Sequence, residues 1–181
     1  MKEEYEEILN RYNYESDQNI KTRISELNKE SFSDNKDAIN EIVLWKLNRS
    51  VHISDDTISL LNSLYYLNNP QELLKDNSVH KLISELLASK GIQLPMASTI
   101  LHFYYPNIFP IIDQRAYREL FGEDLPKYND KNRNRKYTEL YLNYAIKCYQ
   151  FNLHECPDIS FNYIDKILYQ LDKEKGNSVK Y

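Results

Sequence analysis

The chain is poor in the residues that sharp turns and covalent cross-links require. Its 181 residues include three glycines (Gly91, Gly122, Gly176), six prolines and two cysteines. Sheets with many tight turns draw heavily on glycine and proline, so this supply suits an all-α protein instead. Cys148 and Cys156 alone make neither a disulfide framework nor a zinc site, and they exclude a four-cysteine iron–sulfur cluster. No apolar run approaches the ~20 residues a membrane-spanning helix needs. Residues 1–10, MKEEYEEILN, are acidic and helical in pattern, unlike a secretion signal. No metal, no cofactor and a reducing cytoplasmic setting are therefore expected.

Hydrophobic residues make up 41% of the chain, enough to build a core although 28% of it is charged. The formal net charge is −4. Affinity for DNA comes from neutralising phosphates, so a DNA-binding role would need a local basic surface on an acidic molecule. Lys127, Lys131, Arg133, Arg135 and Lys136 offer one, opposed in that run only by Asp130. A solvated charged loop is the alternative reading of the same residues.

Hydrophobic periodicity predicts helices over residues 2–13, 17–29, 35–48, 55–67, 78–90, 94–105, 114–121, 134–151 and 159–173. Asp34 and Ser54 are expected N-caps, and Asn68-Asn69-Pro70 a stop. Tyr137, Leu140, Tyr141, Tyr144, Ala145 and Cys148 form one stripe, and Phe161, Ile164, Leu168 and Leu171 another. The terminal KEKGNSVKY is expected to fray.

The stretch from Gly91 to Asp113, GIQLPMASTILHFYYPNIFPIID, is the most informative. Before it, Val79, Leu82, Ile83, Leu86 and Leu87 share a helical face; after Gly91 comes a second stripe of Ala97, Ile100, Leu101 and Tyr104. Two helices joined by a short glycine-bearing turn make a helix-hairpin-helix. Pro106 and Pro110 then end the helix and force an extended Ile111-Ile112, and Asp113 stands where it can cap the next helix.

Over about thirty residues this layout resembles the helix-hairpin-helix DNA glycosylase superfamily, the relatives of endonuclease III. Gly91-Ile92-Gln93 is similar to the family's glycine-hydrophobic-glycine turn, and Met96-Ala97 stands where its Thr-Ala would be. Leu101 matches its leucine, Asp113 its catalytic aspartate without a gap, and Arg118 and Leu120 its next helix. The sequence departs from the pattern at Gln93, at Ser89-Lys90, and at Pro95, where lyase-type members carry a Schiff-base lysine. The resemblance implies a two-lobed helical fold, with residues 34–112 as the central lobe and 1–33 plus 113–181 as the second. A flipped base would enter the cleft between the lobes, with Asp113 at its edge.

Asp113 has two compatible roles, helix cap and ionised carboxylate beside a sugar that gains positive charge as the glycosidic bond breaks. Gly91, Ile92 and Gln93 either present backbone N–H groups to a phosphate or make an ordinary helix–helix turn. Trp45 either stacks on a base or packs in the core, and Lys46 and Arg49 either meet phosphate or favour their helix C-terminus. Lys46 is also a candidate substitute for the missing amine. Gln114 and Arg115 either touch DNA near the lesion or solvate a first helical turn. With Lys131, Arg133 and Arg135 these complete the expected nucleic-acid-binding set. Three functions remain: a monofunctional glycosylase acting on a damaged or modified base in DNA, a catalytically silent DNA- or protein-binding relative, and an interaction protein without a nucleic-acid role.

Overall fold

The structure, a computed structural model, describes residues 18–26, 28, 31–47 and 51–178. The chain divides into two compact units, Met1–Val51 and His52–Tyr181. The helix expected at 2–13 lies outside the described residues.

In the first unit, α1 spans Gln18–Glu26 and α2 Phe32–Lys46. Arg23 Nη1 donates to Glu41 Oε2 at 2.6 Å and links them, a surface pair of small energetic weight. The cap of α2 corrects the sequence expectation. Ser31, not Asp34, is the N-cap, its hydroxyl accepting from the Asp34 N–H at 3.3 Å. Asp34 sits in the first turn, where its charge still complements the helix dipole.

The second unit holds α3 (Asp55–Ser63), α4 (Asn77–Ala88), α5 (Leu94–Tyr104), α6 (Gln114–Phe121), α7 (Arg133–Glu155) and α8 (Ile164–Glu174). The described residues contain no strand, only an isolated bridge between His52 and Lys90, so the fold is all-α. Ser54 caps α3 through the Thr57 N–H, as expected. Residues 64–66 tighten into a 3₁₀ turn, as helix ends often do, so α3 is shorter than its apolar pattern suggested. The α7 helix runs four residues beyond its expected end. Asn152 Nδ2 there donates to the carbonyls of Cys156 and Ile159, tying the turn that follows to the helix end. Residues 161–163 form a 3₁₀ turn before α8.

One core fills this second unit. Val79, Leu82, Ile83, Leu86 and Leu87 of α4 are all buried, and so are Leu140, Tyr141, Tyr144, Ala145 and Cys148 of α7, as their stripes predicted. Full burial contributes about 1.5–3 kcal/mol for each large aliphatic side chain. The α5 stripe needs correction. Leu94, Ala97, Ser98, Leu101 and His102 are buried, whereas Tyr104 faces solvent and Ile100 is half-buried. His102 turns inward because its ring Nδ1 bonds the Phe109 carbonyl at 2.9 Å. Leu171 is also exposed. Two residues of the terminal segment have side-chain partners: Arg115 donates to the Asn177 carbonyl and Arg118 to that of Ser178.

Asp165, in the first turn of α8, is buried with its Oδ1 lacking a hydrogen-bond partner among the described residues. Burial pushes its carboxyl pKa up, opposed in part by His102. A carboxyl raised in the folded state penalises folding once ionised, and the penalty grows as pH rises above the unfolded carboxyl range. Asp165→Asn is therefore expected to gain thermal stability relative to the parent as pH is raised from 4 to 8. Melting curves at both pH values check this, and a difference independent of pH would show that Asp165 carries no buried-charge penalty.

Candidate nucleic-acid interface

The hairpin reverses direction at Gly91, whose φ of 84° lies in the left-handed region that glycine adopts without strain. The Ile92 N–H closes the turn on the Ser89 carbonyl at 3.2 Å, and the Ile92 side chain enters the core. Gln93 has an extended backbone, φ −116°, so no second glycine is needed there. Its side chain is exposed and makes no capping bond to α5. Pro95 lies in the first turn, where a missing N–H breaks no helical bond.

Beyond α5 an extended segment leads to Asp113, and three side chains pin its backbone. Tyr141 Oη donates to the Pro110 carbonyl at 2.9 Å and Tyr144 Oη to the Ile111 carbonyl at 2.8 Å. Burial raises both phenol pKa values well above the ordinary range, keeping these hydroxyls protonated as donors. Ser98 Oγ accepts from the Ile112 N–H at 3.2 Å while donating to the Pro95 carbonyl at 2.8 Å. One hydroxyl thus ties the start of α5 to the segment before Asp113. Asp113 emerges half-buried as the N-cap of α6, its Oδ1 accepting from the Ala116 N–H at 2.8 Å.

A cleft of about 540 Å³ opens beside this arrangement. Gln93, Leu94 and Pro95 of the hairpin form one side, Gln114 of α6 contributes, and Leu125, Pro126 and Lys127 face them. Asn129, Arg133 and Tyr137 complete the lining. The facing loop begins where Gly122, φ 72°, ends α6 in a left-handed cap. Two clamps hold it. Gln114 Nε2 donates to Asp124 Oδ1 at 2.6 Å, and Gln114 Oε1 accepts from the Leu125 N–H at 3.2 Å. Further on, the Tyr128 N–H donates to Tyr137 Oη at 3.1 Å.

The predicted residues fall into several groups. Gln93, Gln114 and Arg133 share the cleft, and Asp113 directly precedes one of its lining residues. Arg115 does not line it. Its Nη1 donates to Asp172 Oδ2 at 3.1 Å and to the Asn177 carbonyl, and its guanidinium lies 5.5 Å from the Tyr169 ring centroid. Arg118 grips the same Asp172 through Nε and Nη2, both at 2.7 Å. These bonds, Arg118's first and those of Asn177 and Arg115 after it, hold the Asp172 carboxyl down to about 2 against the opposing effect of burial.

Of the basic run, Arg135 Nε pairs with Glu139 at 2.9 Å and Lys136 with Asp130, while Lys131 is exposed. In the first unit, Trp45 is half-buried and Lys46 exposed, and Arg49 lies outside the described residues. Sequence reasoning missed the cleft roles of Leu125, Pro126, Asn129 and Tyr137. Tyr137 shares the helical spacing of the buried α7 stripe, yet it is half-buried and turned to the loop. Its position at the first turn of α7, next to a polar loop, was the available signal.

Among the described residues no helix is long and apolar enough to cross a membrane, and no cluster of three His, Cys, Asp or Glu side chains could hold a metal ion. No family model, no curated protein and no solved structure matches the chain.

Proposed function

We propose that the protein is a helix-hairpin-helix DNA glycosylase-like enzyme that hydrolyses the N-glycosidic bond of an extruded, damaged or modified base, with Asp113 as the working carboxylate. One observation carries the reading: the hairpin turn, the residue following Asp113 and two basic side chains open on the same cleft. Breaking the glycosidic bond builds positive charge on the deoxyribose, and an ionised carboxylate held by a rigid backbone stabilises that charge or aligns the attacking water. The pinning of residues 110–112 by Tyr141, Tyr144 and Ser98 supports this role, because preorganisation is what makes such a contact effective. The family's two-lobed division belongs to the same proposal.

The second reading is a catalytically silent helix-hairpin-helix module that binds DNA or protein. Two observations favour it: one Asp113 oxygen is engaged in capping, and Pro95 offers no amine.

Mass spectrometry of bases released from DNA carrying varied lesions and modifications tests the proposal. Release of a free base supports the enzyme. DNA binding without release across the panel supports the silent module, and neither binding nor release rejects both. Borohydride reduction during turnover is expected to trap no protein–DNA adduct, since no lysine occupies position 95. An adduct would overturn the monofunctional mechanism, and peptide mapping would name the amine.

A further inference from the structure

The cleft beside the hairpin differs chemically from the chain that carries it. The protein is acidic, at −4, yet the cleft lining contains Lys127 and Arg133 and no aspartate or glutamate. Two of the three acids on the adjacent loop, Asp124 and Asp130, have other partners, and the third, Glu123, is outside the lining. Asp124 accepts from Gln114 and, at 3.3 Å, from Arg118 Nη1. Asp130 is bonded by Lys136 and by the Asn132 N–H, which together lower its pKa. Lys127 and Arg133 form no ion pair among the described residues, in contrast to Arg115, Arg118, Arg135 and Lys136. The lining itself thus presents two cations and no anion.

The remaining lining is mixed in the manner of a small-ligand site. Pro95, Leu125 and Pro126 supply apolar surface, and Gln93 and Asn129 supply carboxamides that both donate and accept. The Arg133 guanidinium carbon lies 5.5 Å from the Tyr137 ring centroid, a stacking that limits its freedom before any ligand arrives. The two loop clamps, Gln114 on residues 124–125 and Tyr137 on Tyr128, fix the far wall in the same way. The volume, about 540 Å³, lies within the roughly 300–1,000 Å³ typical of ligand sites.

We propose that this cleft binds one phosphorylated nucleoside, its phosphate held by Lys127 and Arg133 and its flat ring set against the Pro95, Leu125 and Pro126 surface. The inference rests on the cleft that the proposed function uses, but not on catalysis by Asp113. An anion alone would leave the apolar wall unused, and a neutral nucleoside would leave two cations unpaired. A nucleotide satisfies both. Intact duplex does not, because its bases are stacked and paired and one must be extruded before a ring can enter. The site therefore accepts a nucleotide from single-stranded or locally opened nucleic acid.

Isothermal titration at low salt with deoxyadenosine 5′-monophosphate, deoxyadenosine and inorganic phosphate tests this. The monophosphate is expected to bind at least about tenfold more tightly than either fragment, the scale of one charge-assisted hydrogen bond. Lys127→Gln and Arg133→Gln should each weaken the monophosphate by about tenfold and leave deoxyadenosine unchanged. Lys81→Gln, which alters an exposed side chain of α4 outside the cleft lining, should change neither. Lys127 is an exposed loop residue, so its variant keeps the test intact if Arg133→Gln misfolds. Equal affinity for phosphate and monophosphate would reduce the cleft to an anion patch, and indifference to Lys127→Gln would place binding elsewhere. Either result overturns the proposal. Monophosphate binding without base release would reject only the glycosidase reading, and base release without monophosphate binding would reject only this one.

Discussion

Asp113→Asn is expected to slow base release by about two orders of magnitude or more, the usual scale for losing one preorganised electrostatic contact to a transition state. The fold should persist. The native carboxylate caps α6 through a single bond from the Ala116 N–H, and asparagine serves as an N-cap about as well as aspartate. The extended segment before it is held by Tyr141, Tyr144 and Ser98, none of which touches the substituted atoms. Binding to DNA should be retained or slightly strengthened, because a negative charge near phosphate has gone. Single-turnover release on a responsive substrate, alongside melting temperature and DNA affinity, separates these quantities. Undiminished release would leave Asp113 with its capping role alone.

Asp172→Asn is expected to produce the largest loss of stability of any single charge removal described here, about 3 kcal/mol, toward the lower end for breaking a buried ion pair. Asp172 is fully buried and receives bonds from Arg115, Arg118 and Asn177, joining α6 to α8 and to the chain beyond it. Without its charge two guanidinium groups lose their counterion. Both reach solvent in part, at 16% and 18% side-chain exposure, which moderates the cost. For a protein of this size the loss corresponds to roughly 6–12 °C in Tm.

The same carboxyl sets an acid limb. Its folded pKa, about 2, lies below the 3.8 usual for an aspartate, so its stabilisation is complete above about pH 4 and is lost as pH falls from there toward 2. Asp172→Asn should flatten that part of the stability–pH curve. Asp124→Asn is the control, since Asp124 is 78% exposed and meets Arg118 only at 3.3 Å. Equal effects of the two substitutions would refute the central role of Asp172.

Local signals explain what could be read in advance. The buried faces of α4 and α7 follow from apolar residues recurring at helical spacing, and the Gly91 turn from the one residue that adopts positive φ freely. Asp113 as a helix start followed from side-chain capping, a contact three residues long. The errors arose where a longer-range partner decided the outcome. His102 turned inward for the Phe109 carbonyl while Tyr104 of the same helix turned out. Asn152, reaching the Ile159 carbonyl, carried α7 beyond its apolar pattern. Ser31 and Asp34 are both good helix-start residues, and only backbone geometry separated cap from first turn.

The basic residues show most clearly what sequence and tertiary structure each contributed. Composition and periodicity by themselves determined an all-α chain with a glycine-turned hairpin and an aspartate opening the following helix, because backbone propensity and capping act over a few residues. They also located the positive charge near residues 127–136. Which basic side chains find an acid partner was decided partly by short-range pairs along the chain and partly by tertiary structure. Arg115 and Arg118 are committed to Asp172, more than fifty residues away, whereas Lys136 and Arg135 meet acids nearby. Lys127 and Arg133 remain to face the hairpin across a cleft. Charge pairing depends on distance through space, and sequence order carries little of that information once helices pack.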